Sequence, residues 1–175
     1  NSYKIEPLLK SNEYQEEAIN QIENSKKDVI LLNGVTGSGK TEIYMHLINK
    51  QISLGKTAIM LVPEISLTPQ IINRFKVHFG NKIAVFHSAL SESEKYDEYR
   101  KIRRGEVSIV IGARSAIFTP LKNIGIIIID EEHSSTYKQE HNPRYNAIDV
   151  AIIRGKYHNA KVVLGSATPQ IESYA

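Results

Sequence analysis

The chain contains no cysteine. Disulfide bonds and thiolate metal sites are therefore excluded, which suits a cytoplasmic protein. No apolar run reaches the roughly 18 residues that cross a bilayer, so no transmembrane helix is expected. The opening residues, Asn1-Ser2-Tyr3-Lys4, lack the apolar stretch of a secretory leader, and none is expected. Charge of one sign is scarce too. The 22 Lys and Arg against 19 Asp and Glu leave a net +3, which permits a polyanionic partner without arguing for one. No internal repeat or low-complexity stretch is visible. His46, His78, His87 and His158 are scattered without ligand spacing, so a histidine metal centre is not expected. What remains is 175 residues with 41% hydrophobic and 23% charged content, enough for one globular domain with a full core.

Short apolar, β-branched runs alternate with helical stretches. Asp28–Leu32, Thr57–Val62, Lys82–His87, Val107–Gly112, Ile124–Asp130 and Lys161–Gly165 read as strands. Their apolar residues are consecutive, the pattern of parallel strands covered on both faces. Between them, Glu42–Leu54 reads as a helix stopped by Gly55. Ser66–Phe79 reads as another, with Leu67, Ile71, Ile72 and Phe75 inward, Pro69 in its first turn and Gly80 at its end. Ser91-Glu92-Ser93-Glu94 is a capping box opening a helix on which Tyr96, Tyr99 and Ile102 share a face, and Gly105 stops it. The βαβ succession predicts an α/β fold, an open, doubly wound parallel sheet with helices on both faces. Ligands of such sheets bind beyond the carboxyl ends of the strands.

Gly34-Val35-Thr36-Gly37-Ser38-Gly39-Lys40-Thr41 fits the phosphate-binding template G-x-x-x-x-G-K-[ST], between a strand and a helix. Glycines let the backbone curl so that successive N–H groups point at phosphate oxygens, and the helix N-terminus adds unpaired donors. Lys40 supplies a point charge for the β- and γ-phosphates of ATP, and the Thr41 hydroxyl is placed to hold Mg²⁺. Ninety residues on, the apolar strand Gly125–Ile129 ends in Asp130-Glu131-Glu132-His133. Carboxylates at such a strand end assign Asp130 to the metal and Glu131 to the base or water-orienting role.

The Asp-Glu-x-His ending resembles that of the DEAD/DEAH-type helicases of superfamily 2, and the form DEEH with its surroundings resembles their replication-restart members. Leu61–Gln70 (LVPEISLTPQ) is similar to the family's motif Ia, Gly112–Phe118 (GARSAIF) to motif Ib, and Gly165–Pro169 (GSATP) to motif III. Tyr137-Lys138-Gln139 with Pro143-Arg144-Tyr145 is similar to the aromatic-rich loop that follows the carboxylate strand. Ile148, before Asp149, stands where the family pattern has arginine.

The resemblance implies a RecA-like P-loop NTPase fold for residues 1–175. It identifies the chain as the first motor lobe of a longer ATP-dependent 3′-to-5′ DNA helicase acting in replication restart and primosome assembly. It implies that Gln15 selects adenine, although a solvated helix-start glutamine is the plainer reading of one residue. Ser166 and Thr168 would couple to His133 or Glu131 and report the phosphate state; Thr168 capping a helix is an equal reading. Thr68, Arg114 and Ser115 would hold the backbone of single-stranded DNA, and Tyr137, Lys138, Arg144 and Tyr145 would add stacking faces and charge. The alternative for that loop is local packing of its tyrosines. Forked DNA and other primosome proteins are the expected partners. Zinc is expected only in a part of the longer chain, and the arginine finger in a second lobe. The lobe by itself is then expected to bind ATP and hydrolyse it very slowly, since such a finger is worth roughly 10³–10⁵ in rate. A duplex translocase subunit and a nucleotide-gated scaffold are the competing readings, separated from a helicase by strand displacement and by turnover.

Overall fold

Among the described residues, six parallel strands form one sheet in the order β1-β6-β5-β2-β4-β3. They are β1 (Val29–Leu32), β2 (Thr57–Leu61), β3 (Ile83–Phe86), β4 (Ile109–Gly112), β5 (Ile124–Ile129) and β6 (Lys161–Gly165). The computed structural model describes residues 13–33, 38–130 and 146–166. Among the described residues five α-helices accompany the strands: α1 (Glu13–Asn24), α2 (Ser38–Ser53), α3 (Pro69–Phe79), α4 (Glu92–Arg103) and α5 (Ala147–His158).

Strand residues alternate between two buried layers. Ala58, Met60, Ile126, Ile128 and Val163 face a core completed by Ile22 of α1, Ile43, Leu47 and Ile48 of α2, and Phe75 of α3. Ile59, Leu61, Ile127, Ile129 and Val162 face a second core with Ile102 of α4 and Ala151 of α5. Apolar character on consecutive residues follows directly, because both pleat directions point into protein. The fold is the open parallel α/β sheet expected from the βαβ pattern, in the RecA-like form that the family resemblance implies.

Three boundaries differ from the sequence pattern. α2 begins at Ser38, four residues before the expected Glu42, because its first turn is the end of the glycine motif and carries no apolar periodicity. α3 begins at Pro69, not Ser66, and residues 64–66 form a separate 3₁₀ turn. The cause is local: Thr68 precedes proline and is extended, with φ −78° and ψ 157°, and its hydroxyl oxygen accepts from the Ile71 N–H at 3.2 Å. Tyr96 does not share the buried face of Ile102. It is exposed, with the Arg100 guanidinium 5.8 Å from its ring centroid, since steps of three residues drift about 60° each around a helix of 3.6 residues per turn. Tyr99 packs edge-on against Phe86, ring centroids 5.1 Å apart.

The expected stops hold. Gly55 and Gly105 have φ of 77° and 71° just past α2 and α4, where a side chain would be strained. Both hydrogen bonds of the Ser91–Glu94 capping box are made. The Glu94 carboxyl is held below its ordinary range by the Ser91 backbone N–H that donates to it.

Arg154 of α5 braces the turn after β4. Its Nη1 donates to the carbonyls of Ile117 (2.6 Å) and Thr119 (2.8 Å), and its Nη2 to that of Leu121 (3.2 Å). Removing the guanidinium would leave carbonyls of buried residues without a donor, so Arg154→Met is expected to lower stability by about 2–3 kcal/mol. Urea unfolding would show it; a midpoint unchanged from the native protein would contradict this bracing role.

Candidate functional site

With all strands parallel, every carboxyl end lies along one edge of the sheet. Lys40 and Thr41 lie in the first turn of α2, beyond β1; Asp130 follows β5 and Ser166 follows β6. The turns holding Thr68 and Arg114 follow β2 and β4. The strand order divides this edge. Among the described residues, Lys40, Thr41, Asp130 and Ser166 sit on the β1-β6-β5 half, and Thr68, Arg114 and Ser115 sit on the β2-β4-β3 half.

β6 separates β1 from β5, so these two strands stand two strand spacings apart, about 9–10 Å. Side chains bridge the gap. The Lys40 ammonium donates to Asp130 Oδ1 at 2.5 Å, and the Tyr44 hydroxyl donates to the same oxygen at 2.7 Å. Lys40 is buried and Asp130 is 16% exposed at the side chain. An ion pair so far withdrawn from water is held by direct contact and little screened.

Gly165 makes the crossing possible. It ends β6 and pairs with Leu32 of β1, and the preceding Leu164 pairs with Ile129 of β5. A Cβ built on Gly165 would overlap the Tyr44 hydroxyl and come 3.1 Å from Asp130 Oδ1. The end of the middle strand is thus bare where the outer two join.

Gln15 is buried, not solvated. Its Nε2 donates to the Gly39 carbonyl at 3.2 Å, fixing α1 against the first turn of α2. Lys161 secures the other end of α1: its ammonium donates to the carbonyls of Ile22, Glu23 and Ser25 at 2.7, 2.9 and 2.7 Å. Ser166 is fully buried, and its N–H donates to the Leu32 carbonyl at 2.9 Å. On the other half of the edge, Ser115 is exposed, Arg114 and Thr68 are half-buried, and the Thr68 hydroxyl oxygen serves as the cap of α3. Ile148, in place of the family arginine, is half-buried against the second core.

Gly34, Val35, Thr36, Gly37, Glu131, His133, Tyr137, Lys138, Arg144, Tyr145 and Thr168 lie outside the described residues, as does the side chain of Ser38. The sequence pattern overlooked Tyr44, Glu42, Arg74 and the spacing role of Gly165. Tyr44 had a signal: it lies four residues after Lys40, on the same face of the helix. Among the described residues no cluster of three or more His, Asp or Glu could hold a metal by itself, and no helix is long and apolar enough to cross a membrane.

The model of the DEAD/DEAH box helicases matches residues 12–175. The chain belongs to the DEAD/DEAH box helicase family. Among curated relatives, the replication restart protein PriA of Bacillus subtilis (strain 168) is 59% identical over 175 residues, which is 98% of this chain and 22% of that protein. PriA of Chlamydia muridarum (strain MoPn / Nigg) is 54% identical over 165 residues, 91% of this chain and 22% of that protein. The resemblance to replication-restart helicases is thus carried by the chain as a whole, which spans about a fifth of the length of these relatives. The structure of RecG bound to a three-way DNA junction superposes with a TM-score of 0.67 at 27% identity, covering 92% of this chain and 21% of that one. The UvsW helicase from bacteriophage T4 matches with a TM-score of 0.62 at 19% identity, covering 95% of this chain and 56% of that one. At that identity it bears on the fold alone.

Proposed function

We propose that this lobe binds magnesium–ATP at the β1-β6-β5 edge, and that in the whole protein ATP hydrolysis drives 3′-to-5′ unwinding of DNA in replication restart and primosome assembly. The observation that carries the reading is the meeting of Lys40 and Asp130 across the end of β6. Residues ninety positions apart converge where a phosphate-binding loop and a strand-end carboxylate must converge to act on one triphosphate.

The donor set suits magnesium. Asp130 offers a carboxylate and Thr41 a hydroxyl, both hard oxygen ligands. The carboxylate already takes a cation as its partner, the Lys40 ammonium. Magnesium held by Thr41 and Asp130 would offset the charge on the phosphate oxygens. The residues supply the rest. Backbone N–H groups of Gly34–Thr41 and the start of α2 receive the phosphates, and the Lys40 ammonium is free to turn from Asp130 toward them. Gln15, fixed on the Gly39 carbonyl, stands by the first turn of α2 as the adenine-selecting group. Glu131 orients or deprotonates the attacking water. On the β2-β4-β3 half, Thr68, Arg114 and Ser115 grip the backbone of single-stranded or forked DNA, aided by Tyr137, Lys138, Arg144 and Tyr145.

The test uses the full-length protein. Glu131→Gln is expected to retain ATP binding and to lose DNA-stimulated turnover and strand displacement by at least 100-fold, the lower range for loss of a general base. Undiminished turnover would remove Glu131 from this role, and a native protein that turns over ATP without separating strands would replace unwinding by translocation.

A further inference from the structure

Glu42 follows Thr41 directly, and the site chemistry above gives it no task. It is 5% exposed on a helix whose neighbouring residues Ile43, Tyr44, Leu47 and Ile48 are core. Its Oε2 accepts a hydrogen bond from Arg74 Nη2, on α3. Its Oε1 is buried and has no hydrogen-bond partner among the described residues. Burying a carboxylate is costly, and one half-compensated by a single arginine is poor structural design. An apolar residue would serve the core better, and the same sheet face is otherwise built of apolar side chains.

The two ends of the pair explain the charge. Glu42 stands in the second turn's approach of α2, beside Lys40 and Thr41. Arg74 stands six residues into α3 from its cap, Thr68, about 9 Å along a rigid helix. A shift of the first turn of α2 would therefore be passed through the ion pair to the start of α3. We propose that Glu42 and Arg74 form a coupling strut between the nucleotide cradle and the nucleic-acid-gripping turn at Thr68. Both are positioning residues; neither touches ATP or DNA. The inference rests on the proposed function, because it needs a ligand at each end.

Coupling is a free energy shared by the two sites, so it is read as the change in one affinity caused by the other ligand. The measurement takes the full-length protein, an oligothymidylate labelled for fluorescence anisotropy, and a non-hydrolysable ATP analogue with magnesium. The DNA dissociation constant is determined with and without nucleotide for the native protein, Glu42→Met, Arg74→Met and the double variant. The native ratio is expected to differ from one by at least fivefold. Each single variant is expected to bring it to within twofold of one, and the double variant to add nothing further, while nucleotide-free DNA affinity and ATP affinity stay within about twofold of native. The double variant, with two apolar side chains in place of the pair, is expected to melt no lower than the native protein. Should Glu42→Met fail to fold, Arg74→Met at the half-exposed partner carries the comparison, with Arg74→Lys expected to restore part of the ratio.

A native ratio retained in the variants would overturn the strut and leave the proposed function standing. A native ratio of one with both ligands bound would also overturn the strut alone. Parallel loss of both affinities with a lower melting temperature would assign the pair to structure only. Absence of ATP or DNA binding by the native protein would overturn the functional reading beneath it, and the strut with it.

Discussion

Gly165→Ala is expected to lower the melting temperature by about 2–12 °C and to weaken nucleotide binding at least tenfold. The substitution adds one methyl group at the carboxyl end of a strand with neighbours on both sides. That methyl would overlap the hydroxyl of Tyr44 and press on Asp130 Oδ1. Tyr44 is fully buried and cannot swing aside into solvent. Overpacking of this kind costs typically about 1–3 kcal/mol, and 1 kcal/mol moves the midpoint of a domain of this size by about 2–4 °C. The affinity loss has a separate origin: the displaced hydroxyl gives up Asp130, and the carboxylate moves from its place opposite Lys40. Tyr44→Phe removes the obstructing oxygen. The double variant Gly165→Ala with Tyr44→Phe is therefore expected to be more stable than the sum of the two single losses, by about 1 kcal/mol or more. Scanning calorimetry on the four proteins reads the cycle. Additive losses would show that the tyrosine hydroxyl is not what keeps position 165 bare.

Lys40→Ala is expected to reduce ATP affinity on the order of 100-fold, the loss of one or two charge-assisted hydrogen bonds worth about 1.5–3 kcal/mol each. The fold should persist. Breaking a fully buried pair would cost about 3–5 kcal/mol, but Asp130 keeps the Tyr44 hydroxyl, and its 16% exposure admits water. The expected stability loss is therefore nearer 1–2 kcal/mol. Titration calorimetry measures the affinity and urea unfolding the stability. ATP binding equal to native would remove Lys40 from the phosphate site, whatever its contact with Asp130.

Much of this was legible in the residues because the signals were local. Consecutive Ile126-Ile127-Ile128-Ile129 announced a strand covered on both faces, and Ser91 with Glu94 announced a helix start. The misreadings were local as well. Ser38 escapes the pattern as a helix start because glycine and lysine hide the periodicity, and Ser66 mimics one because Thr68-Pro69 breaks a run whose apolar spacing continues. Counting in threes places Tyr96 inward, where the helix turns it to solvent. The two motifs point Lys40 and Asp130 to one site, but their direct contact, the Tyr44 hydroxyl on the same oxygen and the bare Gly165 between them were not legible, since no spacing along the chain encodes them.

By itself the sequence determined the parallel sheet, the caps and stops of its helices, and which end of each strand carries polar chemistry. These follow from backbone geometry and side-chain periodicity within a dozen residues. Only the tertiary structure decided that β6 lies between β1 and β5, so that a glycine there opens the way from Lys40 and Tyr44 to Asp130, and that α2 and α3 share an ion pair between the buried Glu42 and the half-exposed Arg74. Strand order is set by how whole layers pack, a property of the assembled core that no short stretch of chain encodes.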